Sequence, residues 1–184
     1  MGMDNDQEIQ QAVKVLRNGG VIIFPTDTVW GIGVKADDGG AVTKFYEIKK
    51  REEDKPSQIL VADLEQAEQL GEFNIKVFDF AERYWPGALT VVVPGKTGGK
   101  VGLRVPDHHL TQELCRRTGG IMAGSANFAG KPAPMKREGL DPELVKLVDL
   151  VVDGECGQQE SSAVIDTTKN PWVVVRRGPV KLDI

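Results

Sequence analysis

The run Val21-Ile22-Ile23-Phe24 is closed at both ends, by Gly19-Gly20 before it and Pro25 after it. Four consecutive apolar residues between turn formers read as a buried strand. A core strand ordinarily runs out into a solvated turn. This one delivers two hydroxyls and a carboxylate at once, Thr26, Asp27 and Thr28, and then returns to Val29, Trp30 and glycine. The chain must therefore fold so that a rigid core element ends at a polar place worth keeping.

The rest of the chain supplies partners for that strand. Ile9, Ala12, Val13 and Leu16 recur at helical spacing behind Asp6, a candidate N-cap, and Asn18-Gly19-Gly20 ends the helix. A second helix is predicted over 40–50, burying Ala41, Val42, Phe45 and Ile48. Ile59 to Ala62 reads as a buried strand. Asp63 caps a short helix carrying Leu64, Ala67 and Leu70. Ile75, Phe78 and Ala81 mark another helix, stopped by Trp85-Pro86-Gly87. Leu89–Val93 and Val101–Val105 are predicted strands joined by a Pro- and Gly-rich turn. Leu110 to Arg117 is helical, Gly120–Ala123 a short strand, and 128–142 a loop rich in Pro, Gly and Lys. The apolar residues of 143–152 fit both periods. Ser162–Asp166 and Val173–Arg176 are late strands. Helices mixed with strands, some in βα order and some as hairpins, predict an α/β domain built on a twisted mixed sheet.

Length and charge narrow the function. A chain of 184 residues with 40% hydrophobic and 27% charged residues suits one domain spanning 1–184. The net charge of −4 gives no global basic field for nucleic acid. Cys115 and Cys156 are far apart and form no CxxC, which predicts two free thiols. The polar N-terminus lacks the pattern of a signal peptide, and no apolar run approaches membrane length. These features predict a soluble, cytoplasmic protein that does not enter a membrane.

Several predicted strands lead into polar groups: Phe24 into Thr26 and Thr28, Leu103 into Arg104, Met122 into Ser125 and Asn127, Val175 into Arg176. Each is ordinary alone, as a turn residue or a surface arginine. Converging, they would line a ligand site at the strand ends of an open α/β sheet. The run Lys49 to Pro56, KKREEDKP, carries four cations against three carboxylates. Its simplest reading is a solvated helix end. Lys and Arg aimed at one pocket would instead suit a polyphosphate. GxxxxGK[ST] and GxGxxG are absent, so side chains would have to hold any nucleotide. His108 and His109 lie beside Asp107 without metal-ligand spacing and read as a surface loop. GxSxG is missing as well.

Seven blocks then occur in order: FPTDTVWGIG, KKREEDKP, WPGALTVVV, VGLRVPDH, GSANFAGKPAP, SSAVID and VVRRGPV. Together they make residues 8–182 similar to the YrdC-like family of threonylcarbamoyl-AMP synthases. The resemblance implies a single YrdC-like domain with a twisted mixed open sheet and flanking helices. It implies synthesis of threonylcarbamoyl-adenylate and pyrophosphate from L-threonine, bicarbonate and ATP with Mg²⁺. The product would feed N6-threonylcarbamoyladenosine at tRNA position 37 through downstream threonylcarbamoyl-transfer proteins.

Carried over by motif, Lys49 and Arg51 are expected on the ATP phosphates as the catalytic cations. Ser125, Asn127 and Arg176 are expected near the nucleotide. Thr26, Thr28, Lys55, Arg104 and Ser162 are expected around threonine, with Arg104 on its carboxylate. No residue is expected to be a dedicated metal ligand. The chain departs from the family pattern at Trp30, Glu52, Ser57, Ala133, Ala163 and Arg177. The alternatives are a YciO-like paralogue, or a module that binds double-stranded RNA or tRNA along a concave sheet. A carbamoyl-transfer domain of hydrogenase-maturation proteins is a more remote reading, because that domain sits in much longer chains.

Overall fold

The computed structural model describes residues 5–50, 57–157 and 160–184. Its elements in chain order are α1 (Asn5–Arg17), β1 (Ile22–Phe24), β2 (Gly31–Lys35), α2 (Gly39–Lys49), β3 (Gln58–Leu60), α3 (Leu64–Leu70), α4 (Ile75–Tyr84), β4 (Leu89–Pro94), β5 (Lys100–Arg104), α5 (His109–Thr118), β6 (Ile121–Ser125), α6 (Pro142–Val145), β7 (Leu150–Val151), β8 (Ala163–Asp166) and β9 (Val173–Arg176). A single 3₁₀ turn, Arg137–Gly139, interrupts the long loop before α6.

Local chemistry sets most boundaries. Asp38, Asp63 and Asn74 cap α2, α3 and α4, each accepting from a backbone N–H three residues on. Asp6 does not cap α1: the helix starts before it, and Asp6 lies in the first turn, where its charge suits the helix N-terminus. It accepts from Gln10 and pairs with Arg117 instead. On α4 the buried residues are Val77, Phe80 and Ala81, while Ile75 is exposed, so the buried stripe is rotated from the expected one. His109 opens α5 and is not part of a loop. The ambiguous segment 143–152 is a short helix followed by a short strand.

Among the described residues, nine strands form one sheet in the order β7-β1-β2-β6-β3-β5-β4-β8-β9. The pairs β1/β7, β3/β5 and β4/β8 are parallel and the rest antiparallel. The sheet is therefore mixed, as the sequence predicts. One strand, β2, carries no sequence signal, because glycines at 31 and 33 weaken any strand pattern. Their reason is close packing. A Cβ at Gly33 would meet Met122 O at 2.8 Å and Phe24 at 3.1 Å. Pairing with β2 also draws β6 out to Ser125, so that Ser125 ends a strand and does not sit in a turn. By contrast β3 stops at Leu60, because the N–H of Ala62 turns to the side chain of Gln66.

The sheet is covered differently along its length. At the β1 end, Ile22 and Phe24 pack under α1 and α5, while Val21 and Ile23 pack under α2 and α6. At the β4 end, Leu89, Val91, Leu103 and Ile165 pack under α3 and α4. The alternate side chains of those same strands, Thr90, Gly102, Arg104 and Asp166 among them, line an open cleft.

Candidate functional site

The cleft has a volume of about 590 Å³. It brings together Thr26, Thr28, Arg104, Ser125, Ser162 and Arg176 from five separate segments of chain. Strand period explains how. On β5, positions 100, 102 and 104 share one face, and positions 164 and 166 of β8 do the same, continued by Ser162 just before the strand, each opposite an apolar face under the helices.

Arg104 sits at the closed end and is 2% exposed. Its Nε donates to Gly87 O at 3.0 Å, its Nη1 to Thr28 Oγ1 at 3.1 Å, and its Nη2 to Asp27 Oδ1 at 2.5 Å. Burial pulls its pKa below the ordinary arginine value, and the Asp27 carboxylate opposes that pull. The Trp85-Pro86-Gly87 helix stop thus also supports the site: Trp85 Nε1 bonds Leu89 O, and Gly87 N bonds Val105 O. A guanidinium has five N–H groups. Three are used, which leaves one on each Nη for a ligand, the spacing that suits a carboxylate fork.

The Thr26–Thr28 turn is pinned from several directions. Thr111 Oγ1 donates to Pro25 O at 2.8 Å, Gly157 N to Thr26 O at 2.8 Å, and Cys156 Sγ to Thr28 O at 3.2 Å. A Cβ at Gly157 would fall 1.9 Å from Asp27 O, so only glycine lets that segment close over the turn. The hydroxyl protons are already assigned. Thr26 Oγ1 donates to Val29 O at 2.7 Å. In its 3.1 Å contact with Thr28 Oγ1, Thr28 must then be the donor. Thr28 also accepts from Arg104, so what it offers the cleft is a lone pair.

Ser162 and Arg176 lie together. Arg176 Nε donates to Ser162 O at 2.9 Å and its Nη2 to Ser162 Oγ at 3.2 Å. Ser162 Oγ is 2.9 Å from Thr90 Oγ1, which in turn bonds Gln58 Oε1. At the rim, Lys100 pairs with Asp166 at 3.0 Å. Burial alone would raise the pKa of Asp166, but bonds from Thr168 and Lys100 outweigh it and hold the carboxyl below its ordinary value.

Lys49 and Asn127 do not line the cleft. Lys49 is buried, and its Nζ donates to the carbonyls of Ser125 and Asn127 at 2.5 and 2.6 Å. It lies 3.9 Å from where a Cβ on the cleft-lining Gly124 would be, immediately behind that wall. The Asn127 amide donates to the carbonyls of Phe128 and Lys131. Arg51 and Lys55 lie outside the described residues. Among those described, no group of three or more His, Cys, Asp and Glu could hold a metal, and Asp166 is the one carboxylate lining the cleft.

Sequence reasoning missed Asp27 as the partner of Arg104, and missed Gln58, Thr90, Lys100 and Asp166 altogether. The last three carried a signal: a polar or charged residue within or at the end of an otherwise apolar strand. Cys115 is fully buried and its thiol is pushed up by burial, which marks a core residue. Cys115 and Cys156 are both free, as the sequence predicts.

The Sua5/YciO/YrdC family model, described as "Telomere recombination", matches residues 14–178. The chain is 39% identical to the threonylcarbamoyl-AMP synthase of Bacillus subtilis, over 96% of its own length and 55% of that protein. It is 34% identical to the threonylcarbamoyl-AMP synthase of Stutzerimonas stutzeri, over 94% of its own length and 98% of that protein. Among solved structures, Pyrococcus abyssi Sua5 complexed with L-threonine superposes with a TM-score of 0.86 at 31% identity, covering 97% of this chain and 56% of that one. The chain thus spans just over half the length of the first of these relatives and of the threonine-bound structure. Sequence blocks, sheet and cleft agree: the chain belongs to the Sua5/YciO/YrdC family.

Proposed function

We propose that this chain, acting as a single YrdC-like domain over residues 1–184, makes threonylcarbamoyl-adenylate from L-threonine, bicarbonate and ATP for tRNA N6-threonylcarbamoyladenosine synthesis. The observation that carries the reading is the closed end of the cleft. Arg104 keeps one N–H on each Nη beside Thr28, which offers a lone pair. A carboxylate and a neighbouring hydroxyl donor answer both, and threonine has both. The threonine named for the Pyrococcus structure agrees with this reading.

In this reading the neutral amine of threonine adds to CO₂ with loss of a proton, or to bicarbonate with loss of water, and the carbamate oxygen attacks the α-phosphorus of ATP as pyrophosphate leaves. No covalent enzyme intermediate is needed. The chain's work is to hold an unstable carbamate in line and to stabilise developing charge. Lys49, behind the Gly124–Ser125 wall, and Arg51 are the proposed phosphate-side cations. Ser125, Asn127 and Arg176 form the nucleotide side. Lys55, Thr26 and Ser162 join Arg104 and Thr28 around threonine. With one carboxylate in the described cleft, Mg²⁺ would arrive on the triphosphate and would not occupy a protein cage. It would supply charge neutralisation there. The product is passed to threonylcarbamoyl-transfer proteins, and the setting is cytoplasmic.

Pyrophosphate release by the purified protein tests the assignment. Release requires ATP, threonine and bicarbonate together. Replacing threonine by 2-aminobutyrate, which lacks the hydroxyl, lowers kcat/KM by about 10³-fold or more, since the buried acceptor is left unpaired. Release that ignores threonine overturns the assignment. Absent release with salt-sensitive RNA binding would identify an RNA-binding module.

A further inference from the structure

No ligand contact is expected for Thr90 or Gln58 from the sequence, yet both line the cleft beside Ser162 and form a hydrogen-bonded chain with it. Thr90 is 3% exposed and Ser162 1% exposed, so neither hydroxyl can turn to bulk water for a partner. Gln58 Oε1 accepts from Thr90 Oγ1. Each hydroxyl has one proton. With the Thr90 proton given to Gln58, the 2.9 Å contact between Thr90 and Ser162 is satisfied only if Ser162 donates. The Ser162 proton is therefore spent inside the protein. One of its two lone pairs takes the N–H of Arg176. What remains toward the cleft is a single acceptor site.

We propose that Gln58 and Thr90 are positioning residues that fix the polarity of Ser162, so that the cleft at this point selects a ligand presenting an N–H donor, the amino group of the bound amino acid. This rests on the reading of the cleft as a threonine site. There, Arg104 takes the carboxylate and Thr28 the hydroxyl, and the amine is the donor left for Ser162. The direction of the whole chain is set at its far end. A carbonyl oxygen at Gln58 can only accept, and that choice propagates through two hydroxyls to the ligand. Accepting from the amine also points one N–H bond at Ser162 and keeps the nitrogen lone pair off it.

The test compares two ligands on four proteins by calorimetry: L-threonine and 3-hydroxybutanoate, which keeps the carboxylate and hydroxyl but has no amine. The wild type prefers threonine strongly. In Thr90→Val, nearly isosteric but without the hydroxyl, the Ser162 proton is released and the preference narrows by about tenfold or more. Thr90→Ser restores it. Gln58→Leu, at a less buried position, narrows it as well and serves should Thr90→Val fail to fold. An unchanged preference in folded Thr90→Val or Gln58→Leu overturns the relay while leaving the threonine site standing. A wild type that binds neither ligand overturns both.

Discussion

The two ends of the sheet bury their strands in different ways. β1 is apolar at every position and is covered on both faces, by α1 and α5 on one side and α2 and α6 on the other. β4, β5 and β8 turn one apolar face, Leu89, Val91, Val93, Leu103, Ala163 and Ile165, away from the cleft. Their inward faces pack under α3 and α4, and their other faces carry Thr90, Gly102, Arg104 and Asp166 into the cleft. The first end is scaffold and the second end is floor. One helical layer stabilises the second end, and the opposite face, relieved of core duty, carries chemistry. The two ends meet at the Thr26–Thr28 turn, where the rigid strand delivers its polar residues against Arg104.

The sharpest break of this comparison is Arg104→Met. It removes the group proposed to hold the threonine carboxylate and strands Asp27, a carboxylate whose side chain is 10% exposed. Losing one partner of a buried pair costs about 3–5 kcal/mol. Denaturant unfolding should show that loss, and threonine-dependent pyrophosphate release should vanish. Adding Asp27→Leu should return most of the stability and none of the activity, which separates the structural from the chemical role of the pair.

The scaffold end should fail differently. Phe24→Ala opens a cavity beneath α1 and α5 and costs about 3–5 kcal/mol. Val92→Ala, on the cleft face of β4, should cost under about 1.5 kcal/mol, because that side chain borders open space. Unfolding midpoints for the two variants check the contrast. Equal losses would mean that the cleft face is packed like the core.

Much of this was readable from residue order. The apolar run at 21–24, the cap at Asp63, and the block pattern led to the sheet, and to Thr26, Thr28, Arg104, Ser125, Ser162 and Arg176 as cleft residues. What stayed hidden had physical causes. β2 lacked a signal because its glycines answer a neighbour, Met122, that is distant in sequence. Asp27 stood in the sequence without a role, since its meaning depends on an arginine 77 positions away. Lys49 reads from its motif as a phosphate ligand, but only the fold reveals that its ammonium also ties down the Ser125 and Asn127 carbonyls. Thr90 was visible as a break in an apolar strand, yet its partners Gln58 and Ser162 come from two other strands or their ends.

A smaller effect tests the floor alone. Gly102 keeps the middle of β5 low, and a Cβ there would stand 3.3 Å from Thr90 Cγ2. Gly102→Val should change stability by no more than about 1–2 kcal/mol, since its new atoms enter the cleft and not the core. It should lower kcat/KM by about 10²-fold through misplaced ligand. Steady-state kinetics beside a melting curve would show whether the two quantities separate.

The smallest effect belongs to the rim. Lys100 is about half exposed, so its pair with Asp166 is screened, and Asp166→Asn should cost no more than about 1 kcal/mol. The pH dependence carries more information than the size. Asp166 has a folded pKa below the ordinary carboxylate value. Its contribution is therefore fully present above the unfolded pKa of about 3.9 and fades as pH falls through the lower folded value. Wild type and Asp166→Asn should differ by a constant amount from pH 7 down to about 5, and converge in acid below about 4. A difference that instead grew on acidification would mean that Asp166 is strained by burial and not held by Thr168 and Lys100. The floor would then end in a destabilised carboxylate, and the rim would have to be counted with the site's chemistry and not with its support.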